Sequence, residues 1–306
     1  MNLIQELTKK ELITPPTWLP ENVMYLTLMG SVAYGVSGGD SDRDVYGFCI
    51  PRKDIVFPHL AGEILGFGKE KERFWQYQQH HIRDETALGG KGVEYDITVY
   101  SIVKFFQLAM GNNPNMVDAL FTPERCVLTR TQVWQTIKRK RDIFLHRGCF
   151  HKFKGYAYSQ LHKMKPKYDK DGNRILPDGK RKELVLEFGY DVKFAYHLVR
   201  LLLECEQILT EGTLDLERHS EQLKAIRRGE WDYEYVKEWF DDKEKSLESL
   251  YEKSELPYGP REEEIKDLLL QCLEMHYGTL DNVVVSPGRQ RRALEEISRI
   301  ANNALF

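Results

Sequence analysis

The hydrophobic pattern of this chain changes period at Ser101, and that change limits the fold more than any other feature. Before it, residues 24–29, 45–50 and 93–100 are short β-branched and aromatic runs, the pattern of strands. After it, Ile102, Phe105, Phe106 and Ala109 repeat at helical spacing, with Ser101 placed to cap them. Gly111 to Pro114 ends that helix, and residues 116–121 read as a short further one. Helical periodicity then covers about 131–146, 150–164, 185–210, 217–227, 231–253, 260–277 and 289–304. Residues 59–92 read as a long polar, Gly-rich connection with an extra hairpin or helix around 74–81. The expectation is an α+β protein. An α/β domain with a short sheet occupies residues 1–125, and a mainly helical domain occupies 126–306.

Composition narrows the class. Hydrophobic residues make up 42% of the 306 and charged residues 30%, as in a globular chain rather than a disordered one. No stretch approaches the ~18 apolar residues of a membrane span. Residues 1–12 are polar and lack a signal-peptide core. The five cysteines, Cys49, Cys126, Cys149, Cys205 and Cys272, are odd in number and far apart, which points to a reducing, cytoplasmic compartment. His146, Cys149 and His151 lie close in sequence but lack an evident fourth ligand, so they read as ordinary side chains and not a zinc site.

The net charge of -3 argues against a polyanion binder, but the charge is unevenly spread. Residues 138–182 hold 15 Lys and Arg against 4 Asp and Glu, a net of +11. Residues 230–275 hold 6 against 15, a net of -9. Aromatics interleave the basic segment (Phe144, Phe150, Phe153, Tyr156, Tyr158 and Tyr168), the combination that phosphate neutralisation and base stacking require.

The chemistry is concentrated in Gly30-Ser31-Val32-Ala33-Tyr34-Gly35, followed after six residues by Asp42-Arg43-Asp44. Strand residues i and i+2 share a face about 6.6 Å apart, so Asp42 and Asp44 can converge on the same cations. Carboxylate and phosphate oxygens are the ligands Mg²⁺ prefers. Gly30 allows close approach of a phosphate, and Ser31 offers a hydroxyl and an N–H. Asp96 sits inside the third strand, where an unpaired charge is costly, and is the expected third acid. Glu94 has the same parity and is its rival. Arg43 points to the opposite face and reads as structural. Lys193, His197 and Arg200 fall on one helical face, which reads either as an anion-binding edge or as the polar stripe of an amphipathic helix. Lys104 is a lesser candidate. The glycine stretches 66–69 and 89–92 lack the P-loop pattern and read as turns.

Together these motifs resemble the DNA polymerase β nucleotidyltransferase superfamily, and within it the RlaP-like branch associated with RNA repair. The resemblance rests on Gly30-Ser31, Asp42-Arg43-Asp44 and Tyr95-Asp96-Ile97-Thr98-Val99-Tyr100-Ser101. It continues through Lys104-Phe105, Asn113-Pro114, Leu120-Phe121 and the segment 193–202. It implies a polymerase β-like catalytic domain with a mixed sheet, an NTP donor with ATP favoured, and two Mg²⁺ ions for which Mn²⁺ can substitute. Asp42, Asp44 and Asp96 would be the catalytic, metal-holding acids. Gly30 and Ser31 would hold the β- and γ-phosphates, with Lys193, His197 and Arg200 as further nucleotide-binding groups. RNA is the expected acceptor, and a protein partner is compatible with the pattern. Two alternatives stay open. One is transfer to a protein side chain or small molecule, and the other is a non-catalytic regulator that binds nucleotide or RNA.

Overall fold

In the computed structural model five strands form one mixed sheet: β1 (Val23–Leu28), β2 (Arg43–Cys49), β3 (Gln76–Asp84), β4 (Val93–Ser101) and β5 (Val127–Arg130), in the order β3-β4-β2-β1-β5. The structure describes residues 1–38, 42–64, 68, 73–165, 167–171, 174–177, 179–280, 283, 293–298, 300 and 301. β2 and β4 are parallel and the other neighbours antiparallel. The helices are α1 (Leu3–Lys9), the short α2 (Lys53–Val56) and α3 (Ala87–Gly90), α4 (Ile102–Met110), α5 (Pro114–Phe121) and α6 (Gln132–Arg139). There follow α7 (Cys149–Met164), α8 (Lys180–Phe188), α9 (Val192–Glu211), α10 (Ser220–Arg227), α11 (Tyr233–Lys253) and α12 (Glu262–Tyr277). This is the α+β arrangement expected from the change of period. Ser101 caps α4 by accepting a hydrogen bond from Lys104 N at 3.2 Å.

Three local expectations are refined. Residues 76–84 form a strand, not a helix. β3 is an edge strand whose burial alternates, but Gln79 and Asp84 sit on its inner face with Tyr77 and Ile82, and a bulge between Gln79 and Ile82 shifts the phase, so the sequence shows no clean apolar alternation. β5 falls beyond residue 125 and extends the sheet next to β1; at four residues it is too short to show a period. The helix expected over 185–210 is two helices, because Gly189 closes α8 in the left-handed conformation at φ +79°. Residues 293–298, 300 and 301 are helical, and the remainder of 289–304 lies outside the described residues, as do Gly66, Phe67 and Lys69.

The sheet is covered on both faces. Ile4, Leu7 and Leu19 pack with Val45, Ile97 and Val99 on one side. On the other, Tyr25 and Phe48 join Phe105, Trp134 and Phe153, and the same core continues to Leu202, Phe240 and Leu268. Apolar packing is therefore unbroken across residue 125. The acids at the start of β2 are held by a sheet clamped between α1 and the helical part. Among the described residues no helix is long and apolar enough to cross a membrane.

Candidate active site

Parallel pairing of β2 with β4 sets the site. The register places Asp44 opposite Asp96, Tyr46 opposite Thr98 and Phe48 opposite Tyr100. Side chains of paired residues share a face of the sheet, so two carboxylates meet across adjacent strands. Burial pushes the Asp44 pKa up, and the neighbouring Asp96 and Asp42 charges push it the same way, while Lys193 and His80 oppose them. Asp42 is exposed just before β2. Gly30 completes the crowding. It adopts φ +61°, and a Cβ there would stand 2.3 Å from Asp44 Oδ2. The backbone turn and the carboxylate are in direct apposition, which is the cradle a metal-bound phosphate would need.

Among the described residues no group of three or more His, Cys, Asp or Glu side chains is gathered closely enough to make a complete metal site. The donor set nevertheless suits a hard cation. Two carboxylates in register, one raised in pKa by the other, gain from a positive charge between them. Mg²⁺ usually takes one or two protein carboxylates and draws its other ligands from water and substrate phosphates.

Register also separates the two candidates on β4. Asp96 faces Asp44, whereas Glu94 accepts a hydrogen bond from His81 Nδ1 at 2.7 Å. Asp96 is itself held from β3, through the His81 backbone N–H to Oδ1 at 2.8 Å and His80 Nδ1 at 3.4 Å from the same oxygen. The contact depends on a bulge in the β3–β4 pairing, where His81 has φ +54°. A non-glycine residue in that conformation costs ~1–3 kcal/mol and commonly marks a functional site. His80 and His81 escape sequence reasoning because only a bulge turns two adjacent strand residues toward one neighbour. The adjacent His pair was the available signal.

With this geometry in place, the sequence matches the RNA repair pathway DNA polymerase beta family, RlaP, over residues 4–271. The chain belongs to that family. No curated protein matches it significantly. Membership in a polymerase beta family supports a nucleotidyltransferase-type role for this RlaP chain.

The remaining expected residues divide. Lys193 is exposed and near enough to Asp44 to lower its pKa. His197 follows one turn along α9. Burial, and then the cations Arg200, Lys193, Arg181 and Arg227, push its pKa down to about 3, so it is a neutral imidazole at ordinary pH. Arg200 is not at the edge. It is buried, and Nη1 contacts Asp118 Oδ2 at 2.6 Å, Glu204 Oε1 at 2.9 Å and the Tyr34 hydroxyl at 2.6 Å. Its charge is consumed by two carboxylates and is not offered to a ligand. Lys193 and Arg200 share nearly one azimuth on α9, but Arg200 lies two turns further along the axis, where α5 supplies Asp118 and covers it. Tyr34 in turn donates to Asp118 Oδ2 at 2.5 Å, tying the segment after Gly30 and Ser31 to the helical part. Arg125 Nη2 holds the same segment by donating to Val32 O at 2.9 Å. Lys104 lies over the Trp75 ring at 5.7 Å.

The basic segment is more structural than its sequence implies. Phe144, Phe150 and Phe153 are core residues, and Tyr156 and Tyr158 are exposed. Lys154 pairs with Glu244 at 2.7 Å and Glu248 at 3.3 Å, so the acidic α11 lies against the basic α7. A line of tyrosines nonetheless leaves the acids. Tyr46 follows Asp44 on its face and meets Tyr100 with ring centroids 6.3 Å apart. Tyr156 lies close to Tyr100 and accepts a hydrogen bond from Asn113 Nδ2 at 3.1 Å.

Gly30→Ala is expected to destabilise the fold by ~1–3 kcal/mol, because the added Cβ requires both an unfavourable φ and displacement of Asp44. Urea unfolding measures this. A stability equal to the parent would mean that the turn and Asp44 are not in contact.

Proposed function

We propose that this chain is a divalent-metal-dependent nucleotidyltransferase that moves a nucleoside monophosphate from an NTP, with ATP favoured, to a hydroxyl of RNA. The single observation that carries the reading is the parallel register that sets Asp44 beside Asp96, against the Gly30 turn. Asp42, Asp44 and Asp96 would hold the cations, which when bound neutralise the triphosphate and lower the pKa of the attacking hydroxyl. Gly30 and Ser31 are assigned to the β- and γ-phosphates, and Lys193 supplies positive charge across from the acids. His197, kept neutral by burial and then by its cationic neighbours, is suited to hydrogen bonding rather than to charge pairing. The acceptor oxygen bonds to the α-phosphorus as the bond from that phosphorus to the bridging oxygen breaks, and pyrophosphate leaves. The acceptor's proton passes to solvent or a nearby base. The residues act mainly by positioning and by balancing charge.

RNA is favoured as acceptor by the tyrosines beyond the acids. Tyr46, Tyr100 and Tyr156 offer aromatic surface for successive bases, with exposed Lys152 and Lys163 on α7 for the backbone. The neutralisation of Lys154 by α11 favours the second reading, a protein or small-molecule acceptor. Incubation with labelled NTPs, Mg²⁺ and single-stranded RNA separates the two. Label is expected on RNA, with RNA affinity falling steeply as salt rises. Absence of transfer to any RNA, with ATP binding retained, would transfer the assignment to the second reading.

A further inference from the structure

A cavity of about 280 Å³ opens beside the first turn of α9. Its walls include Met164, Tyr190 and Phe194, and Lys163, Lys165 and Arg181 stand around it. The Arg181 guanidinium lies 4.3 Å from the Phe194 ring centroid and the Lys163 ammonium 6.0 Å from it. Asp191 also borders the space, but both its oxygens are engaged. Oδ2 pairs with Arg181 at 2.9 Å, and Oδ1 accepts the Lys193 backbone N–H at 3.0 Å. Among the described residues that line it, the cavity is therefore an aromatic and aliphatic space bordered by cations, and its one carboxylate, Asp191, is already paired.

Its position gives it meaning. Phe194 faces the cavity, and Lys193, the preceding residue, carries its charge to the neighbourhood of Asp44. The first turn of α9 thus joins the cavity to the acids. The volume lies at the lower limit of ligand pockets, enough for one nucleoside and too small for a length of polynucleotide. A flat apolar group attached to a polyanion is the ligand that such walls and such a rim both accept.

We propose that this cavity is the nucleoside subsite of the donor, taking the base and ribose of the NTP against Phe194 while the phosphates lie toward Lys193; the assignment rests on the nucleotidyltransferase reading above. The test measures calorimetric binding of ATP, inorganic tripolyphosphate and a short single-stranded RNA in Ca²⁺, which supports binding while slowing turnover. Phe194→Leu keeps apolar packing and removes the ring, and Leu176→Trp fills the space from its wall. Both are checked by circular dichroism melts. ATP affinity is expected to fall about tenfold in each folded variant, with tripolyphosphate and RNA affinities unchanged. Equal losses for ATP and tripolyphosphate would overturn the subsite, because the effect would then arise at the phosphates. Loss of RNA affinity with ATP unaffected would overturn it in favour of the acceptor's terminal nucleoside. Unchanged ATP affinity in both variants would overturn it while leaving the acids' role standing. Failure of the parent to bind ATP, or metal-dependent ATP binding that survives Asp42→Asn with Asp44→Asn, would instead sink the nucleotidyltransferase reading and the subsite with it.

Discussion

Replacing Asp42 and Asp44 together by asparagine is expected to lower metal-dependent transfer at least ~1000-fold, an effect of roughly 4 kcal/mol on the barrier. Asparagine keeps the volume and removes the charge, so the loss reports on cation binding and not on packing. The fold should not suffer. Asp44 is partly buried beside Asp96, and burial and that neighbour both raise its pKa. Removing its charge therefore relieves a repulsion, and thermal stability should stay level or rise. A rise in stability with a loss of activity is the signature of a site held under electrostatic strain. Asp96→Asn should reproduce the kinetic loss, because the register places it opposite Asp44. Glu94→Gln should retain most activity, because Glu94 is directed to His81. Transfer by the Asp42, Asp44 double variant close to the parent rate would remove these acids from the mechanism.

Arg200→Met is expected to destabilise the protein by ~3–5 kcal/mol, the cost of breaking a buried ion pair from one side. Asp118 and Glu204 are buried around Arg200, and burial pushes the pKa of each up even with the guanidinium present. Without it, one cation no longer serves two carboxylates, and both are left in an apolar interface. The triple variant Arg200→Met, Asp118→Asn, Glu204→Gln should recover most of the loss, since it removes the charges together. Urea unfolding of the two variants decides the matter. A cost below about 1 kcal/mol for Arg200→Met would show that the pairs are not formed in solution. The same substitution should also loosen the segment after Gly30 and Ser31, because Tyr34 shares the network.

Much of this was legible in the sequence, and what was missed has physical causes. Strands β1, β2 and β4 carry β-branched and aromatic runs because they are central and covered on both faces. β3 was ambiguous because its inner face mixes Tyr77 and Ile82 with Gln79 and Asp84, and the bulge at His80 and His81 shifts the alternation by one residue. The interleaved aromatics of the basic segment suggested a stacking surface. On α7, however, Phe150 and Phe153 recur with the period of a buried helix face and are core. The charge segments of +11 and -9 are far apart in sequence, yet α7 and α11 are in contact through Lys154 and the glutamates Glu244 and Glu248. Opposite charges attract across folded distance, which chain position does not encode.

By itself the sequence determined the α+β class, the change of period at Ser101 and the family, because local propensity and a short motif suffice for these. It also singled out Gly30, Asp42, Asp44 and Asp96 as candidates, because a glycine turn and acids close to strand patterns are features of local sequence. Tertiary structure alone decided that Asp96 and not Glu94 stands opposite Asp44, because strand register is a pairing between distant segments. It alone placed the His80 and His81 bulge against Asp96, buried Arg200 between two acids, and enclosed a cavity beside Lys193. Each of these depends on which segments pack together, and that is set by the whole core rather than by any stretch of the chain.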